Sequence, residues 1–304
     1  MKCVVTGGSG FIGSHVVDKL LEAGHEVMVI DHRAKPHRGD VIFKDVDIVD
    51  FSSVLNVTKG YDYIFHLAGM TNVNDVFERP IYSVQLNVIG TMNMLEAARH
   101  NAIQRVIFAS TVWVYTGCNG ENVNEDSPFY MPGAGHIYSS SKIAAEFFIH
   151  DYWKLYQQSF TILRYGIPYG PRMREELVIP LFLRKAFKGE PITIAGDGSQ
   201  YRNFIYVEDL ADAHLKVFNK KGENQIFNLE GVRKITIKEV ADTINKLLGG
   251  KVKIEFIPAR PGDYAGKQVS DEKAKQLLGW RPTTDFEEGM RKTIEWYKTK
   301  QNLQ

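Results

Sequence analysis

The sequence contains little cysteine and no long apolar run. Cys3 and Cys118 are the only two cysteines among 304 residues, and Cys3 lies in an apolar stretch that predicts a buried strand. We therefore expect no disulfide framework and a reducing, cytoplasmic setting. No apolar stretch approaches the roughly 18 residues that a membrane-spanning helix needs. The first predicted strand follows Met1 almost at once, so neither a membrane span nor a signal peptide is expected.

An excess of charge of either sign is also missing. The 37 lysines and arginines nearly balance the 36 acidic residues, which gives a formal net charge of +1. This balance argues against a basic nucleic-acid-binding surface and against an acidic tail, so no nucleic-acid partner is predicted. The sequence has no internal repeat and no low-complexity tract, and no metal ion is predicted. Its length suffices for one large domain or two smaller ones.

Short β-branched runs alternate with helical patterns through the first half of the chain. Such alternation, with continuously apolar strands, predicts an α/β fold with a parallel sheet covered on both faces. The helix that carries Tyr138 and Lys142 is expected to continue over Ile143–Tyr156. The predicted strands are Lys2–Thr6, Glu26–Asp31, Tyr61–Leu67, Arg105–Ser110 and Phe160–Arg164, and the other predicted helices are Gly13–Ala23 and Tyr82–Arg99.

The character of the sequence changes after Pro168, where Pro, Gly and Arg separate shorter elements. Asn203–Leu210 and Ile226–Leu229 are expected to return to the main sheet. We therefore predict one domain from residues 1–170 plus about 203–231. A smaller α/β lobe would consist of residues of about 171–202 and 232–304.

A glycine-rich segment follows the first strand and opens the first helix. It reads Gly7-Gly8-Ser9-Gly10-Phe11-Ile12-Gly13, with the spacing G-x-x-G-x-x-G. Glycines let the backbone approach a pyrophosphate, and a helix N-terminus favours the anion, so this turn predicts a Rossmann-type dinucleotide site. Asp31 ends the second strand, where a carboxylate bonds a ribose diol and repels a 2′-phosphate. NAD is therefore the predicted cofactor, although Arg33 two residues later weakens the preference over NADP.

Tyr138-Ser-Ser-Ser-Lys142 places a phenol and an ammonium on one face of a helix. The nearby positive charge can lower the phenol pKa and make Tyr138 a usable proton donor and acceptor. Y-x-x-x-K alone is a weak signal because helices produce such pairs by chance. Here it follows a dinucleotide-binding opening by about 130 residues, which makes it a strong signal.

With these two motifs, the chain resembles the extended short-chain dehydrogenases/reductases of the nucleotide-sugar epimerase/dehydratase type. The resemblance runs nearly from end to end. Its further segments are Asp47-Ile48, His66-Leu67-Ala68-Gly69, Asn87-Val88-Ile89-Gly90-Thr91, Val114-Tyr115, Tyr169-Gly170-Pro171-Arg172, Gly196-Asp197-Gly198-Ser199-Gln200-Tyr201-Arg202, Arg260-Pro261-Gly262-Asp263 and Leu278-Gly279-Trp280.

The resemblance implies a role for each matching residue. Thr111 would be the hydroxyl of the catalytic trio with Tyr138 and Lys142, and Lys142 would also bond the nicotinamide ribose. Asp47 and Ile48 would hold the adenine, Asn87 would lie near the catalytic helix, and Tyr165 would lie by the nicotinamide. The other cofactor-binding residues would be Gly7, Gly10, Phe11, Ile12, Gly13, Asp31, Leu67, Ala68 and Gly69. Arg202 and Arg260 would bind the diphosphate of the substrate, and Asp263 would bind the nucleotide ribose. The other substrate-binding residues would be Thr71, Thr111 and Tyr138.

Departures from the family pattern bear on the reaction type. Sugar 4,6-dehydratases carry Thr-Asp-Glu where this chain has Thr111-Val112-Trp113, and glucuronate decarboxylases carry Glu at the position of Trp113. Both reactions are therefore disfavoured, and Trp113 is expected to point toward the sugar pocket. Ile167 and Thr71 replace an Asn and a Lys of the galactose-epimerase pattern, so the identity of the sugar is left open.

The resulting prediction is an NAD-dependent nucleotide-sugar 4-epimerase that works by transient oxidation at C4 and hydride return. A UDP-sugar is the first expectation for the substrate. A keto-sugar reductase is the main alternative, and a non-catalytic NAD-sensing regulator is a remote one. A homodimer is predicted through the helices around residues 82–100 and 138–156, where Phe147, Phe148, Tyr152 and Trp153 give more apolar surface than one core face needs.

Overall fold

The computed structural model of the chain describes residues 1–118, 122–130, 135–259 and 267–300. Arg260 and Asp263 lie outside the described residues. Backbone contacts divide the chain into two compact units. Unit 1 comprises Met1–Tyr165, Ala211–Leu229 and Val269–Arg281, and unit 2 comprises Gly166–Leu210, Glu230–Gln268 and Pro282–Gln304.

The strands alternate with helices along unit 1, as continuous apolar runs separated by amphipathic segments require. The described strands are β1 (Lys2–Thr6), β2 (Glu26–Asp31), β3 (Ile42–Asp45), β4 (Tyr63–His66), β5 (Arg105–Thr111), β6 (Asn122–Val123), β7 (Phe160–Tyr165), β8 (Ile167–Tyr169), β9 (Ile192–Ala195), β10 (Tyr201–Arg202), β11 (Phe204–Tyr206), β12 (Gln225–Leu229), β13 (Ile235–Thr236), β14 (Ile254–Ile257) and β15 (Gln268–Val269).

The helices of the described residues cover both predicted and unpredicted segments. They are α1 (Phe11–Glu22), α2 (Phe51–Val57), α3 (Val73–Glu78), α4 (Pro80–Val84), α5 (Gly90–His100), α6 (Ile137–Tyr156), α7 (Val178–Phe187), α8 (Val207–Lys216), α9 (Ile237–Leu247) and α10 (Phe286–Lys300). Short 3₁₀ turns lie at Val112–Tyr115 and Lys220–Gly222, and π-helical turns lie at Gln85–Ile89 and Ala274–Leu278. Among the described residues, no helix is both long and apolar enough to span a bilayer.

Unit 1 is built on a seven-stranded sheet in the order β12-β7-β5-β4-β1-β2-β3. Every neighbouring pair in this sheet is parallel. The central strands are buried along nearly their whole length because helices cover both faces of a parallel sheet. Val4, Ile30, Ile64, Phe108 and Ile162 belong to one buried cluster on this sheet. The predicted doubly wound Rossmann-type fold is confirmed.

Unit 2 contains short two-stranded pairs. Strands β8 and β11 pair in parallel, as do β9 and β14, whereas β10 and β13 are antiparallel. Its core includes aromatic contacts such as Tyr169 against Phe286, with ring centroids 5.1 Å apart. Asp209 ties the segment before α10 to this unit by accepting from the backbone N–H groups of Thr283 and Thr284.

Two sequence expectations about the sheet differ from the structure. The segment Asn203–Leu210 does not return to the main sheet, because Phe204–Tyr206 pairs with Ile167–Tyr169 and helix α8 begins at Val207. The expected return of Ile226–Leu229 holds, since β12 pairs with β7. Strand β3 was not predicted.

The partition into units also differs from the predicted domain boundaries. Residues 166–170 and 203–210 lie in unit 2 because β8 and β11 pair with each other. The segment Val269–Arg281 lies in unit 1, where Val269 is buried with Val114, Tyr115 and Val123. That unit 1 binds NAD and unit 2 the nucleotide sugar stays a prediction.

The apolar surface of α6 is distributed differently from the sequence expectation. Phe148, Tyr152 and Trp153 are partly buried and pack against the core of unit 1. Phe147 is exposed as predicted, at 54%, and Leu155 is exposed to 70%. The apolar surplus of this helix therefore lies at Phe147, Leu155 and Tyr156.

Candidate active site

The predicted site residues of unit 1 gather at one edge of its sheet. All strands of the sheet are parallel, so their carboxyl ends meet at the same edge, where α/β folds bind ligands. The glycine-rich turn follows β1, and Asp31 ends β2. Thr111 ends β5, and Tyr165 ends β7 directly beside it in register.

The glycine-rich turn is packed so closely that side chains are excluded from it. Gly7 has a positive φ of 70°, and a Cβ there would lie 2.8 Å from the Ala68 backbone nitrogen. A Cβ on Gly13 would lie 2.1 Å from the Gly7 carbonyl oxygen. Helix α1 therefore starts directly against the turn, and no side chain caps its first N–H groups at Gly10. Uncapped N–H groups at a helix start are suited to bind a phosphate.

Asp31 lies beside the glycine-rich turn and is held there by two backbone groups. Its carboxylate accepts from the Ser9 backbone N–H at 3.2 Å and from the Arg33 backbone N–H at 3.0 Å. Two backbone donors fix the carboxylate at the end of β2, the position from which a ribose diol is bound. The Arg33 guanidinium does not sit on this carboxylate but lies 5.7 Å from the Tyr82 ring.

The residues present fit an NAD molecule. Besides the excluded Cβ positions, the Ser9 hydroxyl oxygen is buried without a hydrogen-bond partner among the described residues. A buried hydroxyl without a partner is costly and is satisfied when a polar ligand occupies the turn. Asp47 and Ile48 follow β3, where Asp47 accepts from the Val49 backbone N–H and Ile48 is buried in the core.

The segment after β4 is held by Asn87. Its side-chain amide accepts from the Met70 backbone N–H at 2.7 Å and donates to the Met70 carbonyl at 3.0 Å. It also donates to the Ser141 hydroxyl on α6, at 3.0 Å. Asn87 lies within the π-helical turn between α4 and α5. One amide thus joins the loop containing Leu67, Ala68 and Gly69 to the helix that carries Tyr138.

Lys142 is almost completely buried on α6. Its ammonium donates to the Ala109 carbonyl at 2.8 Å and lies 4.6 Å from the centre of the Phe108 ring. Burial lowers the pKa of Lys142 to about 8, and the Glu146 carboxylate opposes this shift. The ammonium is therefore held at a fixed point beside the end of β5, with a pKa close to neutral pH.

Aromatic rings surround Tyr138. Trp113 meets the Tyr138 ring edge-on with centroids 6.5 Å apart, and His136 lies 5.9 Å from it. The Trp113 and His136 rings also contact each other, with centroids 5.0 Å apart and planes tilted by 45°. His136 begins the helix as its N-cap, because its Nδ1 accepts from the Ser139 backbone N–H at 3.2 Å. Burial lowers the pKa of His136, so the neutral ring that caps α6 is favoured.

Thr111 lies at the junction of β5 and the 3₁₀ turn. Its hydroxyl oxygen accepts from the Trp113 backbone N–H at 3.2 Å. A hydroxyl that accepts one bond keeps an O–H to donate. Thr111 is 6% exposed, so the hydroxyl is held in place with little freedom.

Tyr165 is buried next to Thr111 on β7. Its hydroxyl lies 2.7 Å from His214 Nε2. Burial raises the pKa of Tyr165 well above its usual value, and a negative charge on Tyr138 would raise it further. Tyr165 therefore stays a neutral phenol while it packs near Tyr138.

The predicted substrate residues are not all brought to this edge by unit 1. Thr71 is exposed in the loop before α3. Arg202 is half-buried on β10 in unit 2 and donates to the Tyr201 carbonyl at 2.7 Å. Arg260 and Asp263 lie outside the described residues, so their roles stay predictions.

Sequence reasoning missed two residues of the segment that carries Tyr138 and Lys142. His136 was not singled out, because histidine is not among the residues that typically cap a helix start. Glu146 was missed as well; it lies four residues after Lys142 and therefore on the same helix face.

The arrangement can move one proton and bind an anion. The buried Lys142 ammonium is bonded to β5 two residues before the buried Thr111, and the Tyr138 phenol precedes Lys142 by one turn of α6. The two residues that follow Thr111 are Val112 and Trp113, and neither has a carboxylate side chain. This set suits proton transfer at a sugar hydroxyl next to a dinucleotide.

Comparison with known proteins agrees with this geometry. A model of the NAD dependent epimerase/dehydratase family matches residues 3–229. A putative UDP-glucose 4-epimerase of Methanocaldococcus jannaschii is 33% identical over 305 residues, which cover 97% of this chain and 98% of that protein. A UDP-N-acetyl-alpha-D-glucosaminuronate decarboxylase of Bacillus cytotoxicus is 31% identical over 320 residues, with 99% of each chain covered.

Solved structures agree as well. The crystal structure of a UDP-glucose 4-epimerase with UDP-glucose, from Thermotoga maritima, superposes with a TM-score of 0.90 at 30% identity. The alignment covers 99% of this chain and 100% of that chain. The relatives thus share the fold and differ in the reaction that their names state.

Proposed function

Because the chain belongs to the NAD-dependent epimerase/dehydratase family, we propose that it is a UDP-sugar 4-epimerase. The observation that carries this proposal is the composition of the site: Tyr138 and Lys142 lie one helical turn apart on α6, Lys142 is bonded to β5 two residues before Thr111, and Val112 and Trp113 follow Thr111. Dehydration and decarboxylation need a proton relay beyond the tyrosine, and the two side chains after Thr111 cannot ionise. An inversion at C4 needs only one proton carrier.

In the proposed reaction, bound NAD would take up hydride from the sugar C4 and later return it. Tyr138 accepts the proton of the C4 hydroxyl. Lys142, on the same helix, supplies the positive charge that favours the phenolate form of Tyr138. Thr111 donates its free O–H to a sugar oxygen and so orients the reacting carbon. The 4-keto sugar then turns its other face toward the cofactor. Tyr138 returns the proton to the oxygen as the hydride returns to C4.

Trp113 and His136 support the choice of substrate class. Their rings contact each other beside Tyr138, and a sugar ring can pack its apolar C–H face on such an aromatic surface. The UDP part would lie on residues of unit 2, including Arg202. A keto-sugar reductase remains the second candidate, since the same three residues could serve it, but Asp31 favours a retained NAD over an exchanged NADPH.

The test is to incubate the protein with a panel of UDP-hexoses, UDP-pentoses and UDP-uronates and to follow the C4 configuration by NMR. We expect inversion at C4 without carbon dioxide release and without added nicotinamide. Tyr138→Phe keeps the ring packing and removes the proton carrier, so turnover should fall by about 10²–10⁴-fold with NAD content unchanged. Thr111→Val should lose less, and Thr111→Ser should retain most activity.

Two outcomes would contradict this function. Release of carbon dioxide from a UDP-uronate would assign a decarboxylase, as in the Bacillus cytotoxicus relative. Near wild-type turnover by Tyr138→Phe on the accepted substrate would exclude the tyrosine as the proton carrier.

We also propose that the protein is a homodimer through α6 and the neighbouring α4. Ile81 on α4 is 76% exposed and Leu155 on α6 is 70% exposed. Exposed apolar side chains on adjacent helices are a typical helix-pair interface. Sedimentation should give a dimer, and Ile81→Glu with Leu155→Glu should give a monomer; a monomeric wild-type protein would refute the interface.

A further inference from the structure

A buried ion pair lies behind the site, one helical turn from Lys142. Glu146 on α6 is 1% exposed and Arg164 on β7 is 2% exposed. The guanidinium donates to both carboxylate oxygens, at 3.0 Å from Nε and 2.6 Å from Nη2. Such pairs stabilise a fold weakly at best, because both charges lose their hydration. Its place in this core therefore calls for another explanation.

The carboxylate of Glu146 holds the ends of two strands. Its Oε1 accepts from the Ser110 hydroxyl at 2.5 Å as well as from Arg164. Ser110 and Arg164 are register partners, and they precede Thr111 and Tyr165. One carboxylate is therefore bonded to the two residues immediately before two of the predicted site residues.

Helix α6 contacts the end of β5 through side chains on a single face. Ser139 donates to the Trp113 carbonyl at 3.3 Å, Lys142 donates to the Ala109 carbonyl, and Glu146 accepts from Ser110. Residues at i, i+3 and i+7 face the same way on a helix. The helix that carries Tyr138 is thus tied at two points to the strand that carries Thr111 and at a third point to the 3₁₀ turn that follows this strand.

The guanidinium of Arg164 also forms a hydrogen bond on the side that faces away from Glu146. Its Nη1 donates to the Tyr115 hydroxyl, which donates to Asn228 Oδ1 at 2.9 Å on β12. Asn228 in turn donates to the Ser270 carbonyl at 2.9 Å, and both residues belong to unit 1. The guanidinium is therefore fixed from both sides, and the Glu146 carboxylate cannot shift without breaking this chain of bonds.

We propose that Glu146 is a positioning residue, whose carboxylate sets the Thr111 hydroxyl against Tyr138 by clamping the end of β5 onto α6. A second effect follows from its charge. Lys142 is buried, and the Glu146 carboxylate favours its charged form. The kinetic part of this inference rests on the proposed function, whereas its structural part does not.

The charge effect has a definite sign. Burial brings the pKa of Lys142 to about 8, with Glu146 acting against the shift. The other titratable groups near Lys142 in the described chain are Tyr138 on the same helix and His66 on β4, and burial lowers the pKa of His66 to about 3, so His66 is neutral. Removing the Glu146 charge would therefore lower the Lys142 pKa further, and the ammonium would be lost at a lower pH.

The experiment compares three variants of the NAD-loaded protein. Glu146→Gln removes the charge, Ser110→Ala removes one bond and keeps every charge, and Asp151→Asn removes an exposed carboxylate from the same helix as the control. For Ser110→Ala we expect kcat to fall about tenfold with KM and NAD content unchanged, because a small misplacement of a reacting group has a large effect. Glu146→Gln should show the same loss and, in addition, a high-pH limb of kcat/KM moved down by about half a pH unit or more.

Fluorine NMR of fluorotryptophan-labelled protein gives a readout that needs no substrate. Trp113 follows Thr111 by two residues, so its signal, assigned with Trp113→Phe, reports on the end of β5. Both Glu146→Gln and Ser110→Ala should move or broaden the Trp113 signal and leave that of Trp296 in unit 2 unchanged. If the wild-type protein inverts no UDP-sugar, the proposed function fails and this signal alone decides the positioning role.

Two results would overturn the inference. One is a lower melting temperature of Glu146→Gln with wild-type kcat and an unmoved pH limb, which means that the pair only stabilises the fold. The other is an unchanged Trp113 signal in both variants. If Glu146→Gln does not fold, the double variant Glu146→Gln with Arg164→Met removes both buried charges, and the same shifts in kcat and pH limb are required of it.

Discussion

The tightest contact around the predicted cofactor turn makes Gly13→Ala a decisive substitution. The added Cβ would lie 2.1 Å from the Gly7 carbonyl oxygen, 2.8 Å from the Gly7 carbonyl carbon and 2.9 Å from the Gly8 Cα. Real Cβ atoms essentially never approach another heavy atom within 3.0 Å, so the closest pair must separate by at least 0.9 Å. All three neighbours are backbone atoms, and no flexible side chain can yield in their place.

The cost follows from where the movement occurs. Overpacking of a close-packed site costs about 1–3 kcal/mol. The separation displaces the start of α1 from the turn, which is where the pyrophosphate is predicted to bind. If that cost falls on the NAD-bound state, the affinity for NAD decreases by about 5- to 150-fold, since about 1.4 kcal/mol corresponds to a factor of ten.

The assay measures NAD released by heat from the purified protein, together with the NAD titration of the stripped protein. Gly39→Ala is the matched control, because a Cβ there meets nothing within 4 Å. It should retain wild-type NAD content and melting temperature. If Gly13→Ala keeps full NAD content and an unchanged melting temperature, the start of α1 is not the pyrophosphate site.

Three further predictions concern the cofactor, the pH dependence and the substrate. Asp31→Ala should weaken NAD and reduce its preference over NADP, and mass spectrometry that finds mostly NADP in the wild-type protein would contradict the role of Asp31. Because burial holds the pKa of Lys142 at about 8, the ammonium is lost as the pH rises through that value, and kcat/KM should fall there; a flat profile to about pH 10, near the usual lysine pKa, would exclude a buried Lys142 as the required cation. Arg202→Ala should raise KM for the UDP-sugar by the equivalent of about 2–5 kcal/mol at unchanged NAD content, and unaltered nucleotide-sugar binding would remove Arg202 from the site.

The main sheet could be predicted because its central strands are continuous apolar runs. Strands β1 and β2 have the predicted bounds, and β5 and β7 are each one residue longer than predicted. The edge strand β3 was missed because it has only four residues, of which three are exposed and two are charged. The predicted pairing of Phe204–Tyr206 with the main sheet was also wrong. An apolar triplet indicates that a strand is buried, but it does not indicate which strand it pairs with.

The site divides in the same way between local and long-range information. The glycine turn, Asp31, Tyr138 and Lys142 are recognisable because each depends on a short segment with fixed spacing. The pair of Glu146 and Arg164 could not be read from the sequence, because 18 residues separate the two charges and each looks like a solvated surface residue. Only the packing of α6 on β5 and β7 brings them together.

The π-helical turn at Gln85–Ile89 limits how this chain can be shortened. A π-turn holds one more residue than an α-helical turn, so removing a single residue there would let Pro80–His100 run as one regular helix. Because a π-turn accommodates its extra residue within one turn, α4 and α5 would keep their mutual orientation after such a deletion. The turn that carries Asn87 would change shape, however, and the Asn87 amide would lose its bonds to Met70 and Ser141. A single-residue deletion scan of this helix should therefore find no tolerated site between α4 and α5, whereas the exposed segment around Gly39 should accept a deletion.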